Sequence, residues 1–215
     1  MLDRTIREIK KYSNKNIKIA FDEWNTYVEA TPPYFIENYN IADAIYAASL
    51  LNACINRGDI ITNTGIYHLI NVMGNYRIEK KKIWKTPTTL VLELYTKFHK
   101  GKILKSVVNS SNFVSFKLGK QPEYKNNKLI DSAVTMNGKH MCMSVVNKSS
   151  SEKILLKVPY LDRIAENYCI EGSNKVDLNT YANTSKVKIK KNSLKTSKGF
   201  LILPPHSISV VLFNI

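Results

Sequence analysis

The hydrophobic period of this chain changes at Gly101. Before it, apolar residues recur at helical spacing between short unbroken apolar runs; after it they alternate, apolar and polar. A helix-period pattern and a strand-period pattern bury different faces, so the chain is expected to divide there. Residues 1–101 read as an α/β piece and residues 102–215 as an all-β domain, an antiparallel β-sandwich.

In the first part, residues 3–12 predict a short charged helix, and "NIKIAF" (16–21) predicts a strand apolar on both faces, as parallel strands are. "NIADAIYAASLLNACINRGD" (40–59) predicts an amphipathic helix: Asn40 caps it, Asp43 sits in its first turn, Ile41, Ala44, Ile45, Ala48, Leu51 and Ile55 form its stripe, and Gly58 stops it. "DIITN" (59–63) is a second short strand. Thr86 caps a further helix with Pro87 at its first position and Gly101 beyond its end. Two strand–helix units with apolar faces cannot close a sheet by themselves, so this part must pack on its own sandwich or on a segment outside the chain.

In the second part, "KILKSVVN", "FVSFKLG", "KILLKVPYL", "KVKIKK" and "HSISVVLFNI" have strand character. "SAVTMNGKHMCMSVV" (132–146) places Asn137-Gly138 between two apolar runs, the sequence of a tight hairpin.

Composition narrows the function. With 215 residues, 44% of them hydrophobic, the chain can bury a sizeable core. No apolar stretch reaches the roughly 18 to 20 residues of a membrane span, and the opening residues alternate charges where a signal peptide has an apolar core, so no membrane partner and a cytoplasmic location are expected. The net charge of +15 suggests polyanion binding. The excess is Lys, scattered rather than clustered, with Arg only at 4, 7, 57, 77 and 163, so a solvated surface and no nucleic-acid partner are expected. Cys54, Cys142 and Cys169 are isolated, and His99, His140 and His206 lie far apart, so neither disulfides nor a metal are expected, and no cofactor.

One short stretch carries chemistry. "FDEWN" (21–25) sets Asp22, Glu23 and Trp24 where a buried strand stops. In barrels of alternating strands and helices, reactive side chains sit at the strands' C-terminal ends. Strict alternation would put Ile19, Phe21 and Glu23 on one face and Ala20 and Asp22 on the other, leaving Glu23 alone to serve such a site. Taken by itself, the acidic pair reads more simply as the start of an ordinary loop.

Five blocks in order, "FDEWN", "ADAIYAASLLN", "NTGIYHLINVMG", "IWKTPTTLVLELY" and "LPPHSISVVLF", make residues 5–215 resemble the C-terminal part of family 51 glycoside hydrolases, the retaining α-L-arabinofuranosidases. The resemblance implies the last two βα units of a TIM-type barrel followed by a jelly-roll-like β-sandwich. It implies that Glu23 is the catalytic nucleophile, and Trp24 would offer an aromatic wall to a sugar face. Tyr27 stands where the family commonly has Trp, and His68 where it usually has Gln; both can bond a sugar hydroxyl. Asn25 and Asn71 are expected to brace the backbone instead. The family's acid/base glutamate lies on an earlier strand that this sequence does not contain. The expected partners are therefore an arabinose-containing oligo- or polysaccharide and an N-terminal barrel segment, with a homo-oligomer possible by analogy. By itself the chain is expected to be inactive. The rival reading is a non-catalytic sandwich module for assembly or glycan binding.

Overall fold

The computed structural model describes residues 2–26, 39–117 and 122–215. Helix α1 (Leu2–Tyr12) buries none of its residues and is held at its first turn, where the Arg57 guanidinium grips both carboxylate oxygens of Asp3, Nε at 2.6 Å and Nη2 at 2.7 Å. Strand β1 (Ile19–Trp24) follows. Helix α2 (Ile41–Ile55) starts in a capping box: the Asn40 side chain accepts from the main chain of Ala42 and Asp43, and the Asp43 carboxylate accepts from the Asn40 N–H. Strand β2 (Ile61–Ile66) lies parallel to β1.

The stretch 76–85 carries no turn signature in the sequence but forms a hairpin of β3 (Tyr76–Glu79) and β4 (Lys82–Lys85), turned through Lys80 at φ 52°. Helix α3 (Pro87–Phe98) begins at the expected Thr86 cap.

The remainder is β: β5 (Lys102–Leu104), β6 (Asn112–Ser115), β7 (Tyr124–Lys128), β8 (Ile130–Asn137), β9 (His140–Asn147), β10 (Ile154–Leu156), β11 (Ile164–Glu171), β12 (Ile189–Lys191), β13 (Lys195–Ser197), β14 (Phe200–Leu203) and β15 (Ser207–Asn214). An antiparallel six-stranded sheet runs β12-β11-β15-β9-β8-β5 and faces a three-stranded sheet, β10-β14-β13. The β8–β9 hairpin turns through Gly138 and Lys139, with Gly138 at φ 59°, one residue beyond the Asn-Gly step the sequence pointed to. Strand β11 lies beside the sheet's centre, although "IAENYCIE" reads poorly as a strand.

Alternation along the six-stranded sheet explains both cores. Cys142, Val146, Tyr168, Ile170, Ile208 and Val210 project to one face, where α2 and α3 cover them with Ile41, Ala44, Ala48, Val91 and Leu94. Met143, Val145, Cys169, Val211 and Phe213 project to the other, against Leu201 and Leu203 of the smaller sheet. A sheet apolar on both faces needs two covering layers, and the helices of the first hundred residues supply one of them. The loop after β11 ties these layers together: the carbonyls of Asp177 and Lys175 each accept at 3.0 Å from the N–H groups of Ile41 and Ala42 at the start of α2. Asn179 Nδ2 donates to the carbonyls of Lys85 and Val187, each at 2.9 Å, and the Trp84 indole donates to the Asn179 carbonyl at 3.1 Å. The architecture is mostly β with few helices.

Candidate active site

Parallel pairing brings the C-terminal ends of β1 and β2 to one edge. Phe21 lies opposite Thr64 and Trp24 opposite Ile66, so β1 advances three residues while β2 advances two. The extra residue is a bulge in the stretch that holds Asp22 and Glu23. The alternation expected from the sequence is therefore broken. Phe21 and Trp24, three apart, both pack into the core under α2 and α3, while Asp22 and Glu23 are both exposed. The two backbones approach closely here: a Cβ added to Gly65 would sit 3.0 Å from the Asp22 carbonyl oxygen.

Trp24 is only 6% exposed and its indole Nε1 donates to Thr64 Oγ1 at 2.6 Å. This corrects the expectation that it offers a wall to a sugar: the indole is spent on the core and on fastening β1 to β2. Glu23 is exposed and has no hydrogen-bond or ion-pair partner among the described residues. Tyr27 lies outside the described residues.

After β2 the chain forms a loop, residues 67–75, fastened to the end of β1. The Tyr67 N–H donates to the Trp24 carbonyl at 3.0 Å. Asn25 Nδ2 donates to the carbonyls of Tyr67 and, at 2.8 Å, of Met73. Asn71 Oδ1 accepts from the Ile78 N–H at 2.8 Å and its carbonyl accepts from Arg77 Nη1 at 3.1 Å. Both asparagines brace main chain, as expected. His68 lies in this loop, half-buried, its ring against that of Tyr67 and without a hydrogen-bond partner among the described residues. Its N–H donates to the Met73 carbonyl at 3.2 Å, and its carbonyl accepts from Asn75 Nδ2 at 2.8 Å. The fold thus gathers Glu23, Asn25 and His68 at one edge and turns Trp24 inward. Thr64 and Gly65, which shape the bulge, carried no sequence signal apart from the glycine itself.

The other polar groups considered in the sequence are structural. His99 is largely buried, with Nδ1 3.1 Å from Thr135 Oγ1, and burial lowers it to about 4. His206 donates from Nε2 to the Gly172 carbonyl at 3.1 Å, and His140 lies 3.2 Å from Asn214 Oδ1. Burial pushes the Cys142 and Cys169 thiols up to about 12, which makes both poor nucleophiles. Among the described residues, no three His, Cys, Asp or Glu side chains come together as metal ligands would.

Comparison with known proteins bears on the family and the fold. The family model described as "Alpha-L-arabinofuranosidase C-terminal domain" matches residues 22–207. An intracellular exo-α-(1→5)-L-arabinofuranosidase of Streptomyces lividans is 25% identical over 193 residues, covering 81% of this chain and 28% of that protein. The family 51 α-L-arabinofuranosidase of Thermotoga petrophila has the same fold, with a TM-score of 0.84 at 23% identity over 99% of this chain and 48% of its own. The enzyme of Thermotoga maritima, solved with arabinose, gives a TM-score of 0.81 at 24% identity over 92% of this chain and 43% of its own. The chain spans less than half the length of each of these relatives.

Proposed function

The chain belongs to the α-L-arabinofuranosidase C-terminal domain family, and from that membership we propose that it is the C-terminal segment of a retaining α-L-arabinofuranosidase acting on terminal α-L-arabinofuranosyl residues. In this reading β1–α2 and β2–α3 are the last two βα units of a barrel. Residues 1–101 belong to that catalytic barrel, and residues 102–215 are the appended sandwich. The earlier strands, in the same polypeptide or another, complete the site.

Glu23 is the nucleophile. In a retaining glycosidase two carboxyl groups stand roughly 5 to 5.5 Å apart, one attacking the anomeric carbon while the other protonates the departing oxygen, and water then hydrolyses the glycosyl–enzyme ester. The observation that carries this reading is the position of Glu23, exposed and without a partner among the described residues, on a bulge at the C-terminal end of a parallel strand. A bulge re-aims a side chain, and an exposed carboxylate at a strand end can reach a substrate. His68, on the neighbouring loop, contacts the sugar from its ring, and Tyr27, four residues past Glu23 in the sequence, supplies a second contact. Trp24 acts from beneath, by holding the bulge in place. The acid/base carboxyl comes from the preceding barrel segment, so this chain alone is inactive. The Streptomyces relative is named intracellular, and the same location is proposed for this chain on that ground.

The test uses the chain by itself and joined to preceding barrel strands from a relative. An aryl α-L-arabinofuranoside should be hydrolysed only by the joined protein, with retention of anomeric configuration, and Glu23→Gln should abolish it. Turnover by the isolated chain that survives Glu23→Gln would overturn the reading.

A further inference from the structure

Among the described residues, three hydrogen bonds converge on the Asn25 side chain, and each joins it to main chain. A carboxamide has two N–H donors. Here both are spent on carbonyls six residues apart, those of Tyr67 and Met73, while Oδ1 accepts from the Thr26 N–H at 2.8 Å. The loop therefore leaves β2 and returns to the same amide group. It is closed across its neck by the His68 N–H, which donates to the same Met73 carbonyl at 3.2 Å. Asn25 is two residues from Glu23, and His68 immediately follows Tyr67, so one side chain lies between the two groups the site depends on.

We propose that Asn25 is a positioning residue: its Nδ2 donors fix the offset between the Glu23 bulge and the loop carrying His68, without touching substrate. The proposal rests on the reading of Glu23 as nucleophile. A donor-only contact to two carbonyls is unforgiving, because an isosteric carboxylate would place an oxygen against two oxygens and repel both. Misplacement of a reacting pair by about 1 Å can cost roughly 100-fold in rate.

The experiment has two arms. In the chain itself, amide hydrogen exchange is followed at Tyr67, His68, Asn71, Asn75 and Tyr76, whose N–H groups are all bonded in or to the loop. Asn25→Asp and Asn25→Ala should each speed exchange there by about tenfold or more while Val145 and Val210, in the central sheet, keep their rates. Asn25→Gln, which retains the donors, should recover part of the protection. In the protein joined to preceding barrel strands, Asn25→Asp should lower kcat by about 100-fold with KM within about twofold, because the attack geometry is lost and substrate contacts are not. Unchanged exchange in Asn25→Asp, or a loss confined to KM, would overturn the proposal. Equal loosening of the whole sheet would overturn it too, since Asn25 would then be a general stabiliser. If Glu23→Gln keeps full turnover, the nucleophile reading fails and takes the kinetic role of Asn25 with it, whatever the exchange rates show.

Discussion

Asn52 of α2 donates from Nδ2 to the Asp131 carboxylate of β8 at 2.5 Å, joining the helical layer to the six-stranded sheet across 79 residues of sequence. Asn52 is 1% exposed, and its Oδ1 accepts from Tyr95 at 2.8 Å and from Ser144 at 2.6 Å. Burial holds the Tyr95 hydroxyl well above its ordinary range, so it stays a neutral donor. Asp131 is paired in turn with Lys148 at 2.6 Å. The Asn52 amide thus meets Asp131, Tyr95 and Ser144 at once, while Tyr95 and Ser144 keep longer bonds, each at 3.3 Å, to the carbonyls of Ala48 and Ala133.

Asn52→Ala should therefore destabilise by about 1 to 3 kcal/mol, because the Tyr95 and Ser144 hydroxyls lose their shared acceptor and keep only the longer bonds to the Ala48 and Ala133 carbonyls, and the Asp131 carboxylate loses a donor. Denaturant titration monitored by circular dichroism measures it. A loss below about 0.5 kcal/mol would mean that the helices contribute little to holding the sheet.

Stability should fall as the solution is acidified from about pH 6.5 to pH 4. His99 is held neutral by burial, with its value lowered from 6.5 to about 4. Between those values the unfolded chain binds a proton that the folded chain refuses, so unfolding becomes more favourable as pH falls; above 6.5 the contribution is complete. At roughly 1.36 kcal/mol per pH unit, the loss reaches about 3 kcal/mol. Thermal melts across this range, compared with those of His99→Gln, isolate the effect. An unchanged pH slope in the variant would place the sensitivity elsewhere.

The cysteines should be silent in the folded protein. All three are buried and free, and Cys142 and Cys169 lie on opposite faces of the same sheet. A thiol-specific disulfide reagent at pH 8 should label the native chain only at the rate of unfolding, and all three thiols at once in denaturant. A fast native phase would show that the layer over the reacting thiol is open, one face of the sheet for Cys142 or Cys169 and helix α2 for Cys54.

Gly65→Ala should disturb the bulge from the neighbouring strand. Its new Cβ would meet the Asp22 carbonyl oxygen at 3.0 Å, a contact that only a backbone shift can relieve. The expected cost is about 1 kcal/mol. In the protein joined to preceding strands, kcat should fall further than this small cost suggests. Trp24→Phe, which removes the indole bond to Thr64, should act in the same direction, and the pair should be non-additive because both act on the same bulge.

A substrate with a good leaving group and slow second step should trap sugar on Glu23 in the joined protein. Peptide mass mapping should place the adduct within Ile19–Asn25 and on Glu23. An adduct on Asp22 would mean that the bulge aims the other carboxylate at the sugar.

The sequence by itself determined what is decided over three or four residues. The Asn40 and Thr86 caps, the stripe of α2 and the hairpin at Gly138 were legible because capping, helical period and turn conformation are set by near neighbours. The order of five short blocks also pointed to the family. Tertiary structure decided the rest. Whether Asp22 and Glu23 alternate or bulge depends on the register against Thr64 and Ile66, about 40 residues away, and the one extra residue turned Trp24 from a sugar wall into core. Strand β11 was unreadable because Glu166 and Asn167 interrupt its apolar pattern. In the fold they are satisfied by Lys191, Asn192 and Leu194 from the next strand and the turn after it, contacts 25 to 27 residues away. Local chemistry fixes the elements, whereas which side chain faces water is fixed by pairing between strands that the sequence keeps far apart.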